Sequence, residues 1–274
     1  MIKSISYWSF PAGMALEARM KLAKECGFEA IELTLEGPDA EINMSTSAAD
    51  LKKIKAMADN IGLQTPTFAT GLYWSEPMIL DGGKINKMGL DICKKSLQFA
   101  KIIGANTALT IPCTVTPGLP YDMAYEKSLE VLKKLVPEAE KQGVSIGVEY
   151  VWNKFLLSPL EFRNFLDEIG SPMVKAYFDV GNVMAAGYPD QWIRILGDRI
   201  SAVHFKDFKR SIADLDGFVD LLEGDVPWDA VMKALKAIKY DWAVTAEMMP
   251  PYQHFPEYLL KATSGAMDLI LGRK

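Results

Sequence analysis

The feature that most constrains this chain is a strict alternation of short apolar runs with longer amphipathic segments, repeated eight times along 274 residues. The runs at 2–7, 28–33, 63–68, 106–111, 144–150, 174–179, 200–204 and 241–247 are too short for typical helices and read as buried strands. Between and after them the pattern predicts helices over 14–26, 48–60, 84–103, 121–142, 158–169, 189–196, 228–238 and 256–271. Punctuation agrees: Gly27, Gly62, Gly104 and Gly143 close four of the helices, and Ser158-Pro159 opens a fifth. Strand–helix alternation implies a parallel sheet, closed or open. An open doubly wound sheet would carry a glycine-rich phosphate loop after its first strand, where this chain reads SFPAGMA. A closed (β/α)8 barrel needs about 250 residues. The expectation is a single TIM-barrel domain spanning 1–274, with no linker or low-complexity stretch to divide it.

Four of the runs end on residue types that bind metals. VSIGVEY carries Glu149 near its end, VKAYFD ends on Asp179, ISAVH on His204 and DWAVTAE on Glu247. In parallel α/β folds the C-terminal ends of strands are where chemistry sits. Taken singly, each residue has a structural explanation: a rim charge, a turn former, a core histidine. Together they close consecutive strands five to eight, at one half of a barrel mouth. Three carboxylates and an imidazole suit a divalent cation such as Mn²⁺ or Mg²⁺, with Co²⁺ or Zn²⁺ as alternatives. Side-chain parity supports an inward-facing set. Ser145 and Gly147 share the face of Glu149, Lys175 and Tyr177 that of Asp179, and Ala243 and Thr245 that of Glu247. The opposite faces are greasier, as helix-facing residues should be.

Bulk properties narrow the function classes. A content of 49% hydrophobic residues supports a large core, and a net charge of -5 disfavours a nucleic-acid partner. The three cysteines are scattered, which fits a reducing compartment and a cytoplasmic setting without disulfides. The N-terminus lacks the pattern of a signal peptide, and no apolar run approaches the roughly 20 residues of a membrane span.

The segments GVEY, YFDVGN, VHFKD, LEGDVPW and TAE, all beyond residue 144, carry a resemblance. The chain resembles the sugar phosphate isomerase/epimerase superfamily of xylose-isomerase-like barrels, with its ketose 3-epimerases and L-xylulose-5-phosphate 3-epimerases. The resemblance implies that Glu149, Asp179, His204 and Glu247 bind one divalent ion, often Mn²⁺, and that Glu149 and Glu247 form the acid/base pair. Such a pair would move a proton beside a ketose carbonyl through a metal-stabilised enediolate. Inversion would give an epimerase, and a same-side shuttle an aldose–ketose isomerase.

Further substrate contacts follow from the same likeness. Arg210 falls where ketose epimerases carry a substrate-binding arginine, and Lys206 belongs to the HxKD pattern. Asn182 stands where those enzymes usually have a histidine, and Phe155 where they have a second acid. Glu32, expected at the mouth of strand two, and the aromatics Tyr7, Trp8, Trp74 and Trp152 are candidates to line a sugar pocket. Three cations at Lys206, Lys209 and Arg210 leave a phosphorylated substrate open, and the long loop 207–226 is a candidate lid. The partner expected is a small sugar or sugar phosphate, with no nucleic acid and no membrane, and assembly with identical copies is implied by the family. Rival readings on the same scaffold are an inosose-type dehydratase, a hydroxypyruvate-isomerase-like enzyme and a non-catalytic sugar-binding barrel. A DNA-repair endonuclease of this superfamily would need several more histidines than the two present.

Overall fold

The computed structural model describes residues 1–248, Tyr252 and 254–273. Eight parallel strands close into a barrel: β1 (Ile2–Ser6), β2 (Ala30–Leu35), β3 (Thr67–Thr70), β4 (Thr107–Thr110), β5 (Ser145–Glu149), β6 (Val174–Asp179), β7 (Ile200–Phe205) and β8 (Ala243–Ala246). Ile2 to Ile5 of β1 pair with Ala243 to Ala246 of β8, which completes the ring. Each strand leads through a loop to a helix: α1 (Leu16–Glu25), α2 (Ala48–Ile61), α3 (Lys87–Ile103), α4 (Tyr121–Gln142), α5 (Pro159–Ile169), α6 (Pro189–Leu196), α7 (Trp228–Ala237) and α8 (Pro256–Leu271).

The expected strand and helix positions hold to within a residue or two at most ends, with three larger adjustments. The second strand runs over Ala30–Leu35 rather than 28–33, which draws Glu32 back from its mouth. The third strand lies at Thr67–Thr70 rather than at 63–68. Pro66 has no N–H for a ladder, so pairing of this segment before it is limited to one bridge between Gln64 and Ala30, and the continuous strand begins after it. The start of α3 moves to Lys87, where the Asn86 side chain accepts a hydrogen bond from the Met88 N–H as an N-cap.

Alternation divides the barrel into two layers. Ile146 and Val148 of β5, Phe178 of β6, Val203 and Phe205 of β7 and Val244 of β8 are buried under the helices. The other face lines the lumen and is strongly polar: Ser4, Glu32, Thr34, Thr67, Thr107, Tyr177, His204 and Thr245 are all fully or nearly fully buried. Register stacks them in rings, with Ser6 opposite Glu32, Glu149 opposite Tyr177, and His204 opposite both Asp179 and Thr245. Gly143 ends α4 in the left-handed region at φ 66°, a conformation that β-carbon-bearing residues avoid, and turns the chain directly into β5.

Two mouth loops carry short antiparallel hairpins, Ile79–Leu80 with Lys84–Ile85 and Asp207–Phe208 with Phe218–Val219. The three cysteines are free and buried. Among the described residues no helix is long and apolar enough to cross a membrane.

Candidate metal centre

Parallel strands deliver their C-terminal residues to one mouth. Glu149 and Asp179 end β5 and β6, His204 is the penultimate residue of β7, and Glu247 directly follows β8. All four are buried, and each offers one ligand atom within 4.8 Å of the others. His204 Nδ1 lies 2.9 Å from Glu247 Oε2, 3.7 Å from Glu149 Oε1 and 3.8 Å from Asp179 Oδ2. None is a hydrogen bond: the Glu149 and Asp179 oxygens lie too far, and the Glu247 oxygen is close but off the direction of the ring nitrogen. Nδ1 of His204 and Oδ2 of Asp179 are buried without a hydrogen-bond partner. The second oxygen of Asp179 is committed elsewhere, accepting from the Asn182 N–H at 2.8 Å.

Buried carboxylates at this density need a cation. Lys206 supplies one charge, its Nζ 2.8 Å from Glu247 and 3.1 Å from Asp179. Burial pushes the Glu149 carboxyl up to about 7, against the pull of His204. Burial acts in the same sense on Glu247, but there Lys206 and His204 prevail and hold it at about 2. His204 loses by burial what its carboxylate neighbours Glu32 and Glu247 more than return, so its pKa lies well above the usual imidazole value. A divalent ion fits this donor set. Three oxygens and one nitrogen converge, His204 Nδ1 has no hydrogen-bond partner, Asp179 Oδ2 has only its ion pair with Lys206, and the charge is deficient in positive sign.

Beneath the cluster sits a residue whose place differs from expectation. Glu32 is not at the mouth of β2 but is its third residue, fully buried, and it does not line the cavity. Its Oε1 lies 2.9 Å from His204 Nε2, and its Oε2 accepts from the Thr67 hydroxyl at 2.8 Å and from the Tyr177 hydroxyl. With Nε2 directed at Glu32, the imidazole presents Nδ1 to the cluster, the arrangement that orients histidine ligands in metal sites. Tyr177 also packs its ring 4.5 Å from the imidazole, centroid to centroid. Neither Tyr177 nor Thr67 stood out in the sequence. The one available sign was that both fall on the lumen parity of their strands.

Above the cluster opens a cavity of about 870 Å³. Glu149, Glu247, Lys206 and Asn182 form its polar floor, and Trp8, Trp74, Trp152 and Phe218 stand in its walls. Asn182 is buried and donates to Glu149 Oε1 and to the Tyr150 carbonyl, each at 3.3 Å. Three candidates lie elsewhere. Arg210 is turned away from the cavity: its guanidinium donates to the Gly187 carbonyl at 3.0 Å and stacks on Tyr188, 4.3 Å from the ring centroid. Tyr7 is covered by the Arg19 guanidinium at 3.9 Å, and Phe155 is buried among Tyr121, Tyr125 and Phe165.

The loop 207–226 is fastened at its base. The Asp207 carboxylate accepts from the N–H groups of Phe208 and Leu222 at 2.9 Å, from Val226 N–H at 3.2 Å and from the Trp228 indole at 3.0 Å. The LEGDVPW segment therefore closes onto the residue that follows Lys206. Gly224 lies so close that an added β-carbon would fall 2.1 Å from the Asp207 carboxylate.

The family model for the xylose isomerase-like TIM barrel matches residues 20–263. The chain belongs to the xylose isomerase-like TIM-barrel family. Within this family it is 26% identical over 243 residues to a putative L-ribulose-5-phosphate 3-epimerase of Escherichia coli, a match covering 84% of this chain and 82% of the relative. Its fold matches the crystal structure of D-psicose 3-epimerase in the presence of D-fructose, with a TM-score of 0.80 at 16% identity over 99% and 100% of the two chains. It equally matches the IOLI protein, crystallised with a bound zinc atom, at a TM-score of 0.80 and 17% identity over 99% and 98%. The relative from Escherichia coli is thus named as an isomerase-class enzyme.

Proposed function

We propose that this protein, acting as one barrel domain of residues 1–274, is a divalent-metal-dependent isomerase that epimerises a sugar or sugar phosphate at a carbon beside its keto group. The observation that carries the reading is the convergence of Glu149 and Glu247, from strands separated by β6 and β7, on one buried point at the cavity floor. Relatives named as 3-epimerases support inversion, and carbon 3 of a ketose as its site.

Glu149, Asp179, His204 and Glu247 would hold the ion, with Mn²⁺ favoured by the oxygen-rich set and Mg²⁺, Co²⁺ or Zn²⁺ as alternatives. When bound, the ion supplies Lewis-acid polarisation of the substrate carbonyl. One of the two glutamates removes the proton beside the carbonyl, and the C–H electron pair passes into the carbonyl to give an enediolate. The other glutamate returns a proton from the opposite face, which inverts the carbon. Lys206 donates to a substrate oxygen at the floor, and Asn182 keeps Glu149 in place. The apolar walls limit water at the reacting carbon. Glu32, Arg210, Trp8 and Trp152 divide differently from a simple list of contacts: Trp8 and Trp152 wall the substrate, Glu32 positions His204, and Arg210 braces the α6 and α7 loops. A cytoplasmic setting and assembly with identical copies belong to the same reading.

The test is solvent exchange. Ketoses and ketose phosphates incubated with Mn²⁺-loaded protein in D₂O are expected to take up one deuterium at the inverted carbon. Exchange with none of them, or exchange retained in both Glu149→Gln and Glu247→Gln, would overturn the proposal.

A further inference from the structure

The eight loops around the mouth differ in charge from what a phosphate site requires. Their acids include Glu36, Asp39, Glu41, Asp81, Asp214, Asp220 and Asp225, against only Lys84, Lys154, Lys206, Lys209 and Arg210 as lysines and arginines. Barrels that bind phosphate do so with the loops after the seventh and eighth strands. Here the segment 247–255 contains no lysine, arginine or glycine. Among the described residues Lys206 is the one cation lining the cavity, and it is held by Asp179 and Glu247. Lys209 is exposed outside it, and Arg210 is spent on Gly187 and Tyr188.

The walls tell the same story in hydrogen bonds. The Trp8 indole donates to Glu36, the Thr70 hydroxyl to the Leu35 carbonyl, and Asp207 is saturated by four donors. Away from the floor, what faces the cavity is aromatic and aliphatic surface, Trp74, Trp152, Leu215 and Phe218, with Asp220 adding negative charge. Trp74 and Leu215 are more than half exposed, so ligand-facing apolar area stands open at the mouth. At about 870 Å³ the cavity lies in the upper part of the ~300–1,000 Å³ range that encloses drug-sized ligands, well beyond a single five- or six-carbon sugar.

We infer that the substrate is an unphosphorylated ketose whose end remote from the keto group is extended by a neutral glycosidic ring, seated against Trp74, Trp152 and Phe218. The C–H faces of a sugar ring match the aromatic walls, whose one buried donor without a partner among the described residues, the Trp152 indole N–H, is neutral and suits a hydroxyl rather than a phosphate. A phosphate dianion in the same place would meet like charge and lose its hydration uncompensated. The inference rests on the proposed sugar chemistry for which end of the substrate reaches the metal centre.

Calorimetric binding to the full-length, Mn²⁺-loaded protein tests it with three probes: L-ribulose, L-ribulose 5-phosphate and isomaltulose, a ketose bearing a glucosyl unit. Isomaltulose is expected to bind about tenfold tighter than L-ribulose, and the 5-phosphate about tenfold weaker. Trp74→Ala, at a half-exposed position, is expected to weaken isomaltulose about tenfold more than it weakens L-ribulose, with Tm unchanged. Tighter binding of the phosphate, no gain from the glucosyl unit, or no binding of any probe overturns the inference. Because binding is read without turnover, absence of deuterium exchange alongside this selectivity would strike the epimerase reading and leave the substrate class standing.

Discussion

Glu32 and His204, 172 positions apart in the chain, meet through a 2.9 Å contact between Oε1 and Nε2 beneath the carboxylate cluster. The contact fixes which imidazole nitrogen faces upward. Glu32→Gln keeps the shape but replaces an anion by an amide, so the ring loses its orienting charge. Mn²⁺ affinity is expected to fall roughly 10–100-fold, with the fold intact by circular dichroism. Unchanged affinity in a metal titration would remove Glu32 from the positioning role. Tyr177→Phe, which deletes one of three contacts to Glu32, is expected to cost less.

Removing the ion should be visible in stability before any substrate is found. Wild-type protein at 100–1,000 times the Kd of its metal gains about 3–4 kcal/mol from binding. For a domain of this size that corresponds to a rise in Tm of roughly 6 °C or more over the chelated sample. Asp179→Ala removes one of the four converging ligands, and its melting temperature is expected not to respond to Mn²⁺. A full metal response in that variant would count against the site.

Proton competition sets the pH dependence of loading. Burial raises Glu149 to about 7 in the metal-free protein, so below that pH its carboxylate carries a proton that a cation must displace. Apparent affinity is therefore expected to fall as pH drops through about 7, and to go on rising above it because His204 also holds a proton, well above the usual imidazole range, that the ion must displace. Glu149→Gln should bind more weakly and with a flatter profile. Titrations from about pH 5.5 to 8.5 read both, and a flat wild-type profile would contradict the assignment.

The two glutamates are expected to be individually indispensable for proton transfer. Glu149→Gln and Glu247→Gln should each lower the exchange rate by about 10²–10⁴-fold, the usual scale of general acid–base catalysis. Single-turnover exchange in D₂O at saturating metal separates this loss from weakened metal binding.

Asp207 carries a structural prediction. Asp207→Ala strands the buried Val226 N–H and the partly buried Leu222 N–H and Trp228 indole. The cost is expected to be about 3 kcal/mol, seen as a Tm lower by roughly 6–10 °C. A loss confined to activity, with Tm unchanged, would mean the carboxylate serves the substrate instead.

Much of this molecule is written locally. Hydrophobic runs with period-two parity gave the strands, and the ends of β5 to β8 placed the four ligand candidates on one rim. What stayed hidden depends on partners remote in sequence. Glu32 resembles any strand glutamate until closure of the barrel brings Tyr177 and His204 to it. Arg210 resembles a phosphate-seeking loop cation until Tyr188 and the Gly187 carbonyl, on the preceding loop, absorb it. The third strand starts later than its pattern suggests because Pro66 has no N–H to donate, so its extent is decided by the ladders with β2 and β4.

The four donors gathered by Asp207 fasten the base of the loop and leave its tip free of the reaction centre. Residues 211–216 can thus be exchanged, lengthened or shortened while Lys206 and His204 keep their positions, whereas Gly217 is fixed by the Phe208 ring against it. On the proposed function, chemistry and substrate choice are in this way stored in separate places along the same loop. For protein engineers that loop tip is an interchangeable part, to be redrawn for a new sugar while the hairpin and the machinery beneath it are left untouched.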